Sequence, residues 1–229
     1  YGGSIQQCVV SKYSNIILGD KKPNSILDIP FLPIEFFKNK KIIANKKKVE
    51  KIFKSSGTGG EKSSHYITDL QLYKDSFSLC FNKFYGNPEN YTIMALLPSY
   101  LDSENSSLVY MVNSLIKMSR SANSKFYNKN IDALAKDILK LEKKSKNILL
   151  IGVSYALLDL ADKYPMNLQH TTIIETGGMK GKRDEITKDE MHDILKKAFN
   201  INTIHSEYGM TELLSQAYSE GNGIFKTPP

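Results

Sequence analysis

Apolar positions along the chain fall into two recurring patterns, one of helical period and one of strand length. Leu108, Met111, Val112, Leu115 and Ile116 recur at the i, i+3, i+4, i+7, i+8 spacing of a single helical face. Ile131, Leu134, Ala135, Ile138 and Leu139 do the same, with Asn130 placed as an N-cap. Thr187-Lys188-Asp189-Glu190 reads as a capping box, flanked by Ile186 and Met191 as a hydrophobic staple. The helix it opens is expected to bury Met191, Ile194, Leu195, Ala198 and Phe199. A further helix is expected from about Ser64 to Phe84, with Cys80 on the same face as Phe77, Phe81 and Phe84.

Between these segments lie short apolar runs: Tyr91 to Leu97, Ile148 to Val153, Thr171 to Ile174, and Asn202 to His205. They are continuous rather than alternating, which suits strands covered on both faces. Strands and helices in alternation predict an α/β fold, a largely parallel sheet layered between helices. In such sheets ligands bind beyond the carboxyl ends of the strands. The polar stretch from Lys117 to Lys129 reads as a loop, and no internal repeat interrupts the pattern.

Composition narrows the class. A chain of 229 residues with 41% hydrophobic content can bury a substantial core. No apolar run approaches the roughly 18 residues of a membrane span. Two cysteines, Cys8 and Cys80, make neither a disulfide framework nor a metal spacing, so a reduced, cytoplasmic setting is expected, with Cys80 a buried thiol. The net charge of +7 draws on eight lysines between Lys38 and Lys54. They flank an expected hairpin turn and lack interleaved arginine and aromatic residues, which favours a solvated face over a nucleic-acid surface. Such a face, with Lys46, Lys47 and Lys48, would also suit an acidic protein partner. The chain begins at Tyr1 and closes on Thr227-Pro228-Pro229, so residues 1–229 are expected to be one portion of a longer protein.

Two segments carry chemistry. Ser55-Ser56-Gly57-Thr58-Gly59-Gly60-Glu61-Lys62-Ser63 combines glycines that let backbone N–H groups turn toward an anion, hydroxyl donors, and a mobile ammonium. A helix starting near Ser64 would add its positive end. The P-loop of kinases and GTPases requires Gly directly before the Lys, and Glu61 stands there instead. In Tyr208-Gly209-Met210-Thr211-Glu212, Gly209 would turn the chain from a strand into a helix. The phenol ring can stack on adenine, the hydroxyl can bond an α-phosphate, and the carboxylate can hold Mg²⁺. Taken alone, the segment reads rather as a helix cap, with Thr211 capping and Glu212 in the first turn. His65 and His205 lie beside the two motifs and read as packed or capping residues.

In this order and about 150 residues apart, the two motifs resemble those of the adenylate-forming superfamily. Within it the chain looks like the acyl-protein synthetases, the fatty-acid ligase component of bacterial luminescence. Residues 29–38 (IPFLPIEFFK) resemble the approach to the phosphate loop, Leu96-Leu97-Pro98-Ser99-Tyr100 one wall of the acyl site, and residues 151–157 (IGVSYAL) a second wall. Glu175-Thr176-Gly177-Gly178-Met179-Lys180-Gly181 resembles the turn that cradles adenine. The resemblance implies ATP-dependent activation of a carboxylic acid, of fatty acyl type, followed by transfer to a thiol. Ser55, Ser56, Gly57, Thr58, Gly59, Gly60 and Lys62 would hold the β- and γ-phosphates. Gly177, Gly178, Tyr208 and Gly209 would meet the adenosine, Thr211 the α-phosphate, and Glu212 the Mg²⁺. Pro98, Ser99, Tyr100, Ser154 and Tyr155 would border the acid, with Met179 a further liner. The partners implied are the acid and an acyl carrier protein or another acyl-accepting protein thiol.

Three departures accompany the resemblance. The phosphate loop carries Thr58-Gly59-Gly60 and no following Pro, which leans toward the acyl-protein branch and away from coenzyme A ligases. The family's ribose-binding Asp and C-terminal domain with its Lys are expected beyond Pro229. Neither Cys8 nor Cys80 matches the family's acyl-carrying Cys. A non-catalytic acyl- or nucleotide-binding module of the same fold is the alternative reading.

Overall fold

The structure, a computed structural model, describes residues 24–28, 32–43, 47–55, 61–98, 105–179, 181–221 and 223–226. Cys8, Lys46, residues 56–60, Ser99 and Tyr100 lie outside the described residues. A short helix α1 (Phe36–Asn39) precedes an antiparallel hairpin of β1 (Lys51–Lys54) and β2 (Ser64–Ile67). Helix α2 (Leu70–Tyr85) leads into β3 (Thr92–Leu96), α3 (Ser107–Met118) and β4 (Lys125–Phe126). Then follow α4 (Ile131–Glu142), β5 (Ile148–Val153), α5 (Ser154–Lys163), β6 (Thr171–Thr176), α6 (Lys188–Phe199), β7 (His205–Gly209) and β8 (Gln216–Ser219).

The main sheet has six strands in the order β4-β3-β5-β6-β7-β8. Strands β4 through β7 pair in parallel, and β8 runs antiparallel to β7. Every residue of β3 and β5 is buried, as continuous apolar runs require when helices cover both faces. The expected largely parallel sheet between helices is thus the observed fold.

Partner contacts sort the helices by face. Thr176 and Glu207 are ladder partners and share a face, while Glu175 and Ser206 share the other. Gln216, on the Glu207 side, meets Tyr73 of α2, whose hydroxyl donates to Ser107 O at the start of α3 (3.2 Å). Glu175, on the opposite side, meets Lys188 and His192 of α6. Helices α4, α5 and α6 belong to this second face, with Lys163 of α5 bridging Asp132 of α4 (2.7 Å) and α5 packing on α6.

Local signals fixed several boundaries as expected. Asn130 accepts from Ala133 N–H (3.0 Å), and Thr187 and Glu190 form the reciprocal capping box. Cys80 is fully buried, which pushes its thiol up to about 11. Elsewhere the structure departs from the sequence reading. Residues 64–67 form a strand rather than the first turn of a helix. Asp69 caps α2 instead, accepting from Leu72 N–H (3.2 Å). The β1–β2 hairpin therefore joins Lys54 to Ser64, and Lys51 and Lys54 lie within its first strand. The last parallel strand begins at His205, three residues later than the apolar run suggests, and includes Tyr208 and Gly209. No helix follows it: Leu213 N–H closes a turn on Met210 O (3.1 Å), and the chain returns as β8. The polar stretch after Lys117 contains β4 and the buried ring of Tyr127. Ile194 points outward from α6 and is 42% exposed.

One close approach fixes the junction of β5 and α5, where strand passes directly into helix. A methyl group on Gly152 would lie 2.6 Å from Cδ2 of the buried Leu157. Gly152→Ala is expected to lower stability by about 1–3 kcal/mol through overpacking, read as a drop in the urea midpoint at unchanged m. In a Leu157→Ala background the same change should cost much less.

Candidate functional site

A cleft of about 650 Å³ opens at the carboxyl ends of β6 and β7, between them, the start of α3 and the base of the β1–β2 hairpin. The hairpin enters it through paired contacts. Ser55 N–H donates to Ser63 O (3.0 Å), and Ser63 N–H donates to Ser55 Oγ (2.9 Å), closing the root of the glycine-rich loop. Lys54 N–H donates to Asn105 O (2.9 Å), fastening the hairpin beside α3. Ser55 and Lys62, the two described ends of the loop, both line the cleft, and so do Tyr208, Gly209, Thr211 and Glu212. The two sequence motifs therefore share one cavity. His65 couples them: its Nδ1–H donates to Thr211 O (2.9 Å), and Phe37 packs edge-on against its ring. Burial depresses the His65 pKa, outweighing the Thr211 carbonyl and the Glu212 charge, so the ring is neutral. His205 is likewise packed, its ring against Tyr85 with the phenol at 3.1 Å.

Strand β7 divides the cleft because its side chains alternate between faces. Tyr208 emerges on the α6 side, 53% exposed, with its ring edge-on to Phe225 at 6.1 Å. Lys188 lies over the Phe225 ring at 5.1 Å, and its Nζ sits 2.6 Å from Glu175 Oε1. Burial alone would push the Glu175 carboxyl up, but His192, Lys188 and Ser206 around it hold it below the ordinary range. Gly177, with φ +74°, turns the chain out of β6 at this edge.

Glu207 points to the other side, toward α2 and α3. It is 7% exposed, lines the cleft, and accepts a hydrogen bond from Thr176 Oγ1 (2.6 Å). Burial pushes its pKa up to about 7, against the Thr176 hydrogen bond and with added push from the Glu175 charge. Leu108, Met111 and the Tyr73 ring form an apolar wall beside it.

Four ammonium groups, on Lys54, Lys62, Lys182 and Lys188, border a cavity whose hydroxyls come from Ser55, Ser106, Ser107, Thr176 and Thr211. Cations and hydroxyl donors in this number suit a polyanionic ligand. Among the described residues no cluster of three His, Cys, Asp or Glu forms a self-sufficient metal cage. The single half-exposed carboxylate of Glu212 at the cleft fits a Mg²⁺ ion that takes its remaining oxygens from phosphates and water.

Other sequence-selected residues lie elsewhere. Pro98 is buried just past β3. Ser154, 2% exposed, donates to Glu175 Oε2 (3.3 Å), and Tyr155 packs in the core; neither borders the cleft. Met179 is buried, and Gly178 is exposed outside the cleft lining. Sequence reasoning passed over Lys54, Tyr73, Lys182, Lys188, Glu207, Gln216 and Phe225. A carboxylate at Glu207, two residues before a glycine and inside a strand, was the one legible signal among them.

A mostly parallel sheet with a basic cleft at its strand ends, bordered by the base of the β1–β2 hairpin, defines an α/β fold with a candidate ligand site. A family profile described as "Acyl-protein synthetase, LuxE" matches residues 5–225, and the chain belongs to that family. Similar solved structures include O-succinylbenzoate coenzyme A synthetase (MenE) from Bacillus subtilis in complex with ATP and magnesium ion. It is 16% identical with a TM-score of 0.48, over 77% of this chain and 33% of that one. The luciferase-like enzyme from the nonluminescent mealworm Zophobas morio is 14% identical with a TM-score of 0.46, over 83% of this chain and 40% of that one. The chain thus spans about a third of the length of the synthetase. Sequence comparison with curated proteins gives no match.

Glu207 makes stability depend on pH with a definite sign. A carboxyl raised from its ordinary value near 4.3 to about 7 favours the fold fully below the lower value. That contribution is lost as pH rises through the upper one. Relative to the parent, Glu207→Gln should therefore gain about 1–3 kcal/mol between pH 4.5 and pH 8, read from urea midpoints. A difference that stays flat across that range would contradict the buried, protonated carboxyl.

Proposed function

We propose that residues 1–229 form the nucleotide- and acid-binding portion of an ATP-dependent acyl ligase. The observation that carries this reading is the meeting of Ser55 and Lys62 with Tyr208, Thr211 and Glu212 in one basic cleft. Family membership supplies the reaction class. A carboxylate oxygen of the acid attacks the α-phosphorus of ATP, the bond to the bridging oxygen breaks, and pyrophosphate leaves. A thiol sulfur then attacks the acyl carbonyl of the adenylate, giving a thioester and releasing AMP.

In this reading Ser55, Lys62 and the loop residues Ser56, Gly57, Thr58, Gly59 and Gly60 receive the β- and γ-phosphates. Tyr208 and Phe225 offer adenine an aromatic edge, with Gly177, Gly178 and Gly209 leaving space for the base. Thr211 bonds the α-phosphate through its hydroxyl, and its carbonyl, held by His65, fixes the turn. Lys182 and Lys188 add positive charge at the mouth. Glu212 would hold Mg²⁺, which neutralises phosphate charge when bound. Nucleotidyl transfer of this kind depends on positioning and charge neutralisation, so no strong base is needed. The acyl chain lies against Leu108 and Met111, on the α3 side of β7. The acceptor is an acyl carrier protein or another protein thiol, and the lysines around Lys48 favour an acidic partner.

The full-length protein should catalyse exchange of labelled pyrophosphate into ATP that depends on an added carboxylic acid. Silence across a broad acid panel would remove the proposal. Glu212→Ala should cut exchange by about 10²–10³-fold at unchanged fold, judged by circular dichroism. Tyr208→Ala should act mainly on KM for ATP, raising it about tenfold through lost stacking.

A further inference from the structure

The α3 side of the cleft ends in a buried amide oxygen, Gln216 Oε1, that no group among the described residues satisfies, beside the buried Glu207 carboxyl. Glu207 Oε2 takes the Thr176 hydroxyl, but Oε1 runs along β7 over Gly209: a methyl group on that glycine would lie 2.9 Å from it. Gln216, the ladder partner of Gly209 on β8, stands beside it on the same face, its Cγ 3.9 Å from the same methyl position. Gln216 is 5% exposed and borders the cleft, and its Oε1 has no hydrogen-bond partner. Its Nε2 is spent on the Tyr73 hydroxyl (3.5 Å), which itself donates to Ser107 O. The orphaned amide oxygen and the Glu207 carboxyl therefore lie on one face of the β7–β8 pair, in the cleft that Leu108 and Met111 also line.

A recess built only to hold a hydrocarbon chain would not leave such a group unpaired, because a buried acceptor without a partner keeps its full desolvation cost. We propose that the acid handled by this protein carries a hydrogen-bond donor on its acyl part, a hydroxyl or an amino group. Gln216 Oε1 receives it, with the Glu207 carboxyl alongside. The recess is thus a specificity site for substituted acids rather than plain alkanoates. This inference rests on the ligase reading and refines its substrate. The position of Glu207 supports it, since its carboxyl beside the amide oxygen can accept from a hydroxyl and, once ionised, pair with an ammonium. Gly209 serves the arrangement by leaving room for the carboxylate to lie flat along the strand.

The test is acid-dependent pyrophosphate exchange by the full-length protein with matched acid sets of four to ten carbons. Each set holds the plain alkanoate and its 2-, 3- and ω-hydroxy and amino counterparts. At least one donor-bearing acid should exceed its plain parent in kcat/KM by about 10²-fold or more, as expected where buried polar groups would otherwise stay unpaired. The winning arm distinguishes hydroxyl from amine. Glu207→Gln should erase a preference for amino acids while keeping one for hydroxy acids; Gln216→Leu should lower either and raise activity with the plain acid. A merely structural role would lower all substrates together. Plain alkanoates equal to or better than every substituted partner would overturn the inference while leaving the ligase reading intact. If no acid supports exchange, the ligase reading fails. Calorimetric titration of the chain with the same acid pairs then decides the recess, equal affinity within pairs overturning it.

Discussion

The parallel pairing of β6 with β7 is the constraint on which the cleft depends. Three ladder pairs, from Ile174–His205 to Thr176–Glu207, bring together segments about thirty residues apart in the chain. That register decides which side chains meet. It sets Glu175 opposite Ser206 beneath α6 and Thr176 opposite Glu207 beneath α2 and α3. A shift by one residue would exchange these neighbourhoods and bury Tyr208 where Glu207 now accepts its hydrogen bond. The two faces of the sheet thus hold different chemistry because backbone pairing holds one register.

Electrostatics then divides the labour. Glu175 is a deeply buried carboxylate kept ionised by Lys188 and neighbouring polar groups, and it anchors the start of α6 to the sheet. Glu207, one strand away on the opposite face, has a hydroxyl but no cation and is pushed toward its neutral form. Two buried glutamates so acquire opposite character from their neighbours. The first serves the fold; the second is left facing the cavity. Buried polar groups that are incompletely paired are costly, and their persistence beside a cleft is the usual mark of a ligand-facing wall.

Much of this was legible in the sequence, and the failures have physical causes. Helices α3, α4 and α6 were readable because amphipathic faces and side-chain caps at Asn130 and Thr187 are local signals. The inner strands β3 and β5 were readable because burial on both faces leaves continuous apolar runs. Ser64–Ile67 misled because its turn partner lies across a glycine-rich loop, so its pairing with β1 is not written in its own periodicity. The segment after Glu212 misled for a similar reason: β8 is held by β7 and by α2, not by alternation of its own. The co-location of the two motifs followed from the rule that ligands bind beyond the carboxyl ends of parallel strands, together with the family resemblance. Glu207 and Gln216 escaped notice because their meaning lies in an antiparallel register that places Gln216 beside Gly209.

The hydrogen bond from His65 to the Thr211 carbonyl has a mechanical consequence. It is a strut between a two-stranded ribbon outside the main sheet and the turn that follows β7. Displacement of the ribbon pulls on the backbone of Thr211 directly, without passing through the hydrophobic interior. Ribbon and turn, which both border the cleft, are thereby coupled through the imidazole of His65.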